Sequence, residues 1–177
     1  MAIAARIARA NPTGLDRLSV DAIALPFFQV RAQPRGVAGA ADWRLCGRLA
    51  RRLRDGVFLG ALGEHTLMPS MGRFGAARLF LLGLGDPTDV TGPTIVGRLT
   101  NITSGVFEGG AQELAVAPPT PATSGDVTAA TWWIDAIGKS GHKFERVLLL
   151  DSDGALEAGR AELTAAAKKA GLQLSES

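Results

Sequence analysis

Apolar positions along the chain come in short blocks, and the spacing inside each block predicts an element. In residues 3 to 9, Ile3, Ala5 and Ile7 lie on one side with Arg6 among the others, the pattern of a half-exposed edge strand. Asn11-Pro12-Thr13-Gly14 then turns the chain. The run Leu18 to Leu25 lacks clean alternation, as a strand covered on both faces does, and is the central-strand candidate. From Asp42, a good N-cap, Trp43, Cys46, Leu49, Ala50 and Leu53 follow helical spacing as far as Gly56, with five arginines mainly on the other face. Glu64 to Pro69 and Arg78 to Leu84 read as two strands, a hairpin or neighbours, around the turn 70 to 75. Pro93 opens a helix with Ile95, Val96, Leu99, Ile102 and Val106 on one face, and Gly109-Gly110 stops it. Gln112 to Ala117 is a further buried strand. Asp126 caps a helix carrying Trp132, Trp133, Ile134 and Ile137. A basic turn at 138 to 143, a strand Arg146 to Leu150 and a last helix from about Gly154 to Ala170, stopped by Gly171, complete the order. That order predicts an α/β sandwich with a mainly parallel sheet.

Two loops in this pattern carry candidate chemistry. Arg35-Gly36-Val37-Ala38-Gly39-Ala40-Ala41 joins the central strand to the helix at Asp42. Such a junction collects unpaired backbone N–H groups and the positive end of a helix dipole, so it can hold a phosphate or carboxylate; it can equally serve only to turn a corner. The proline-rich loop Pro118 to Gly125 also leaves a strand and enters a helix. Gly36, Val37, Ala38 and Gly39 on one side, and Ser124, Gly125 and Asp126 on the other, are therefore the candidate ligand-binding residues of an anion crevice.

Composition narrows the picture. A chain of 177 residues, 46% hydrophobic and 20% charged, suits a single domain with a sizeable core. The single cysteine, Cys46, cannot form an internal disulfide, which favours a cytoplasmic setting. Arg6 and Arg9 break the N-terminal apolar run, and no stretch reaches the length of a membrane span. A net charge of +2, and arginines with no interleaved aromatic residues, lead to the expectation of no nucleic-acid partner and no membrane.

Other motifs fail on inspection. Gly154-x-x-x-x-Gly159 has P-loop spacing but is followed by Arg160 and Ala161 where Lys and Ser or Thr are required. Gly83-Leu84-Gly85 lacks the third glycine of a dinucleotide fingerprint and reads as a strand exit. Asp151 and Asp153 could share a metal, yet a strand end followed by an N-cap explains both. His65 and His142 have no companions at zinc spacing, and Cys46, on the predicted buried stripe, has no histidine nearby to activate it. No catalytic set, metal or cofactor is expected.

With these elements placed, the chain resembles the N-terminal domain of the leucyl aminopeptidase family. The resemblance lies in VDAIALPFF at 20 to 28, GVAGAADWRLCGRLARRLRDG at 36 to 56 and GEHTLMPSMGRFGAARLFLLGLGD at 63 to 86, and more loosely in the helix 93 to 107 with ELAVAPP after it. The same blocks are more distantly similar to macrodomains, with RVLLLDSDGALEAGRAEL matching the last strand and helix and Pro119 to Asp126 standing at the second phosphate-facing loop. The resemblance implies a three-layer α/β/α macrodomain-like sandwich with a mixed, mainly parallel sheet of about six strands, one domain over residues 1–177. In the aminopeptidases a separate C-terminal domain holds two metal ions, and nothing like its N-T-D-A-E-G-R motif occurs here, so no peptidase activity is expected. Where macrodomains place polar residues after the first motif, this sequence has Leu25, Pro26 and Phe27. What the resemblance implies is a noncatalytic stand-alone relative acting as a binding or assembly module, beside an aminopeptidase or through self-association. The alternative is macrodomain-type binding or hydrolysis of ADP-ribose or a related nucleotide, an anionic small molecule.

Overall fold

All seven side chains of β2 (Ala22–Phe28) are buried, the signature of a strand covered on both faces. In the computed structural model, which describes residues 3–121 and 123–175, this strand lies within a seven-stranded sheet ordered β3-β4-β2-β5-β6-β1-β7. The other strands are β1 (Ile3–Arg9), β3 (His65–Pro69), β4 (Arg78–Gly85), β5 (Glu113–Val116), β6 (Arg146–Asp151) and β7 (Leu172–Leu174). Among the described residues only the β3–β4 pair is antiparallel. Pro26 is tolerated inside β2 because β5 pairs with β2 only up to Ala24; beyond that point Pro26 serves as an acceptor, taking the Thr120 N–H at 2.9 Å.

Helices α1 (Pro12–Asp16), α2 (Gly36–Arg44) and α3 (Arg48–Arg54) cover one face of the sheet, over a cluster that includes Ile23, Leu25, Leu79 and Leu81. On the other face α4 (Gly92–Glu108), α5 (Asp126–Ser140), α6 (Ala155–Ala158) and α7 (Arg160–Lys169) pack over Leu82, Leu114, Val147 and Leu149. This is the expected α/β/α arrangement. In α4 the five residues assigned to one face are all buried, and Thr91 caps the helix through its hydroxyl.

Several expectations are corrected, while the mainly parallel sheet of about six strands holds, with seven. The added strand β7 is three residues long and leaves no periodic signal. It pairs with Ile3, Ala4 and Ala5, so β1 lies inside the sheet rather than at its edge. Residues 11 to 14 begin a helix instead of a simple turn: Asn11 is the N-cap, its Oδ1 accepting from the Gly14 N–H at 2.8 Å. Gly138 to Ser140, assigned to a turn, complete α5, which ends at the left-handed Gly141. The last helix is broken at Gly159, where a Cβ would come 2.5 Å from the Val127 side chain.

The largest correction lies between residues 36 and 54. The small-residue loop is itself the first turn of α2, so Asp42 falls inside the helix. Its carboxylate caps the next helix instead, accepting from the N–H groups of Leu49 at 2.8 Å and Ala50 at 3.1 Å. The single helix expected from 42 to 54 breaks at Leu45, Cys46 and Gly47, and the buried stripe differs from the expected one: Ala38, Ala41, Leu45 and Leu49 are buried, while Trp43 and Cys46 face solvent. Among the described residues no helix is long and apolar enough to cross a membrane.

Candidate functional site

The helix following β2 packs on one face of the sheet and the helix following β5 on the other, so the chain parts above the carboxyl ends of these neighbouring strands. A divergence of this kind opens a crevice in a parallel sheet. Here it encloses about 270 Å³, lined by Arg35, Gly36 and Val37 from the start of α2, Pro118 to Pro121 from the loop after β5, Asp126 from α5 and Ser152 after β6. The proline-rich wall is tied to β2 by main-chain bonds: the Phe28 N–H donates to the Thr120 carbonyl at 2.8 Å, and the Thr120 N–H to Pro26. Trp133, 1% exposed, holds the same wall from behind by donating its indole N–H to the Ala117 carbonyl at 2.8 Å.

The donors are main-chain groups. In both α2 and α5 the first bond of the helical ladder comes from the fourth residue, Gly39 N–H to Arg35 and Ala129 N–H to Gly125. The N–H groups of Gly36, Val37 and Ala38, and of Asp126 and Val127, therefore precede any intrahelical partner. Neither helix has a side-chain cap, whereas α1 and α4 have Asn11 and Thr91. Gly36 allows the sharp entry, with φ at +53°, a left-handed conformation that a Cβ disfavours.

Of the predicted residues, Gly36, Val37 and Asp126 line the crevice. Ala38 is buried beneath it, and Gly39 faces away, its Cβ position lying 3.0 Å from the Pro34 carbonyl. Ser124 and Gly125 lie off the lining; the Ser124 hydroxyl is 3.5 Å from the Gly125 carbonyl. Asp126 is not the cap of α5 but its first residue, Gly125 being the cap. Ala122 of this loop lies outside the described residues. Ser152 was missed by the sequence reading, although its position just past a third parallel strand could have suggested it.

Charge in the crevice is mixed. Arg35 stands at one rim. Across from it, burial first, and then the nearby carboxylates of Asp153 and Asp151, push the Asp126 carboxyl above its ordinary value. Those two carboxylates are engaged by the main chain: Asp151 accepts from Gly154 at 2.8 Å and Glu157 at 3.3 Å, and Asp153 from Ala155 at 3.0 Å. They close the turn into α6, and among the described residues no three His, Cys, Asp or Glu side chains gather as metal ligands. The decoy histidines are apart: His65 is exposed on β3, and His142 stacks on Phe107 at 4.5 Å.

An α/β/α sandwich with a mixed, mostly parallel sheet and a crevice at this switch point is the macrodomain-like fold. No protein-family model and no curated protein sequence matches the chain. Solved structures do. A macrodomain of Oceanobacillus iheyensis superposes with a TM-score of 0.65 at 12% identity, covering 93% of this chain and 92% of that one. A Trypanosoma brucei macrodomain in complex with ADP-ribose gives 0.63 at 17% identity over 94% of this chain and 68% of the other. A mutant of tomato leucine aminopeptidase gives 0.62 at 16% identity, over 96% of this chain but 36% of the aminopeptidase. This chain thus spans about a third of the aminopeptidase's length. At these identities the likeness is one of fold.

Proposed function

We propose that the crevice between α2 and the loop after β5 binds ADP-ribose or a related nucleotide through its phosphates. The observation that carries this reading is the pair of uncapped helix N-termini facing one crevice, with Gly36 leaving room for close approach. Structures of the same fold hold ADP and ADP-ribose. The reading is one of binding without catalysis: the lining offers hydroxyls, one carboxyl and one guanidinium, but no histidine or thiol to activate a nucleophile.

Thermal denaturation with ADP-ribose tests it. A ligand at a hundred times its Kd stabilises the native state by about 2.7 kcal/mol, which raises Tm by about 5–10 °C for a chain of this size. A folded protein whose Tm ignores ADP-ribose, ADP and phosphate alike overturns the reading. The other function, a noncatalytic assembly module related to the aminopeptidase domain, is favoured by one observation. Leu59, Leu62 and Leu67, all more than half exposed, lie on and beside the edge strand β3, where a partner or a second copy would cover them. Sedimentation at several concentrations tests that alternative.

A further inference from the structure

At the opposite end of α2 from the crevice, about 13 Å away for nine residues at the helical rise, lies a second concavity. It encloses about 410 Å³ and is lined by Leu45, Cys46, Arg48, Arg51, Met71 and Arg73. Three features converge there. First, Arg48, Arg51 and Arg73 form no side-chain hydrogen bond or ion pair among the described residues, and the carboxylates of this stretch are otherwise engaged. Asp16 pairs with Arg44, Asp55 with Arg54, and Asp42 caps α3. Second, among the described residues the two non-glycine positions with left-handed backbone, Cys46 and Met71, both at φ 56°, face this groove. The chain accepts a disfavoured conformation twice at one place. Third, Trp43, 67% exposed, is joined to the groove through its neighbour Arg44. The Arg44 guanidinium lies 5.9 Å from its ring centroid and is tethered to the turn by a 3.1 Å bond to the Arg73 carbonyl.

We propose that this groove binds single-stranded nucleic acid, with phosphates on Arg48, Arg51 and Arg73 and a base stacked on Trp43. The expectation of no nucleic-acid partner rested on a small net charge and on arginines without an aromatic platform; the exposed face of α2 supplies that platform in Trp43. Guanidinium groups match phosphate oxygens bidentately. A duplex keeps its bases stacked inside, so only a single strand can offer one to the indole. An acidic peptide would use the arginines but leave the indole face away from Arg44 without a planar partner.

The test is fluorescence anisotropy of a labelled short oligothymidylate with the full chain at two salt concentrations. The expected slope of log affinity against log salt is about −2, from three phosphates on a single strand. Replacing Arg48, Arg51 and Arg73 together by Gln should weaken binding at least about tenfold and flatten the slope, whereas Trp43→Ala should weaken it about fivefold or more with the slope kept. All four side chains are solvent-facing, and an unchanged melting curve shows each variant folded. The groove also carries its own reporter, since oligothymidylate should slow maleimide labelling of Cys46, the chain's only thiol, while ADP-ribose leaves it unchanged. The proposal fails if the wild type does not bind at low salt, or if the triple variant binds as well. It fails too if polyglutamate competes as effectively as the oligonucleotide, the outcome for an acidic-peptide surface. Equal displacement by pyrophosphate, with Trp43→Ala silent, would make the groove a small-anion site and sink it as well.

Discussion

Replacing Gly36 by alanine separates what the crevice does for stability from what it does for a ligand. Gly36 is left-handed at φ +53°, and a Cβ there would sit 3.6 Å from the Ser152 hydroxyl, an ordinary contact. The stability cost is thus conformational, about 1–2 kcal/mol for an L-residue in this region, part of it offset by the stiffer unfolded chain. A net loss of about 1 kcal/mol lowers Tm by about 2–4 °C at this length. The functional cost is larger. The new methyl points across the crevice toward Ser152, over the N–H groups that would meet a phosphate, and hydrogen bonds to a charged group contribute about 1.5–3 kcal/mol each. Calorimetry with ADP-ribose should therefore show affinity falling by about tenfold or more. Gly39→Ala is the matched control. Its Cβ would press the Pro34 carbonyl at 3.0 Å, outside the crevice, and the helix-propensity gain of about 1 kcal/mol offsets that contact. Its affinity should equal that of the wild type. A Gly36→Ala protein that binds as tightly as the wild type, or a Gly39→Ala protein that loses as much, would refute the geometry assigned to α2.

Three further predictions concern carboxylates, one in the crevice and two elsewhere in the fold. Because Asp126 is pushed up by burial and by Asp153 and Asp151, its native form holds its proton at pH values where the unfolded chain has released it; stability should fall as pH rises from the ordinary carboxylate value through the raised one. Asp126→Asn should remove that fall in urea titrations across acidic pH and tighten phosphate binding at neutral pH, which calorimetry reads. Asp21 is held down by N–H bonds from Glu113 and Gln112, so its contribution is present above the ordinary value and is lost as pH falls through the lowered one; Asp21→Asn should flatten that acid limb. Asp42→Ala removes the cap of α3 and should cost about 1–2 kcal/mol, seen as a lower urea midpoint at unchanged slope.

What the sequence disclosed and what it hid follow from the range of the forces involved. The face of α4 and the buried runs of β2 and β6 were legible because each element's apolar pattern is set by its own burial. Helix starts were less legible. Asp42 and Asp126 looked like caps because side-chain capping is a local rule, yet the two helices at the crevice begin without side-chain caps, at Arg35 and Gly125. The strand-to-helix junctions at Gly36 and Asp126 were legible for the same reason, being local features. Which of their residues face inward depends on tertiary placement. Ser152 comes from a strand distant in sequence, and Gly39 turns toward Pro34. Trp43 is exposed because the buried stripe runs through Ala38, Ala41, Leu45 and Leu49, which puts Trp43 on the opposite side of α2 from the stripe read onward from it.

The position of β1 has a consequence for synthesis on the ribosome. Its partners are β6, in register from Ala4 with Arg146, and β7, through Leu172 to Leu174. Among the described residues every strand that pairs with β1 is therefore made only after β2 to β5. Until Arg146 to Asp151 emerge, β1 has two bare edges and an apolar row, Ile3, Ala5 and Ile7, with nothing to cover it, while β2 to β4 can already pair. The sheet must be completed by inserting β1 after the strands that follow it, a closure of high contact order that sets a slow final step and leaves β1 in need of shielding until then.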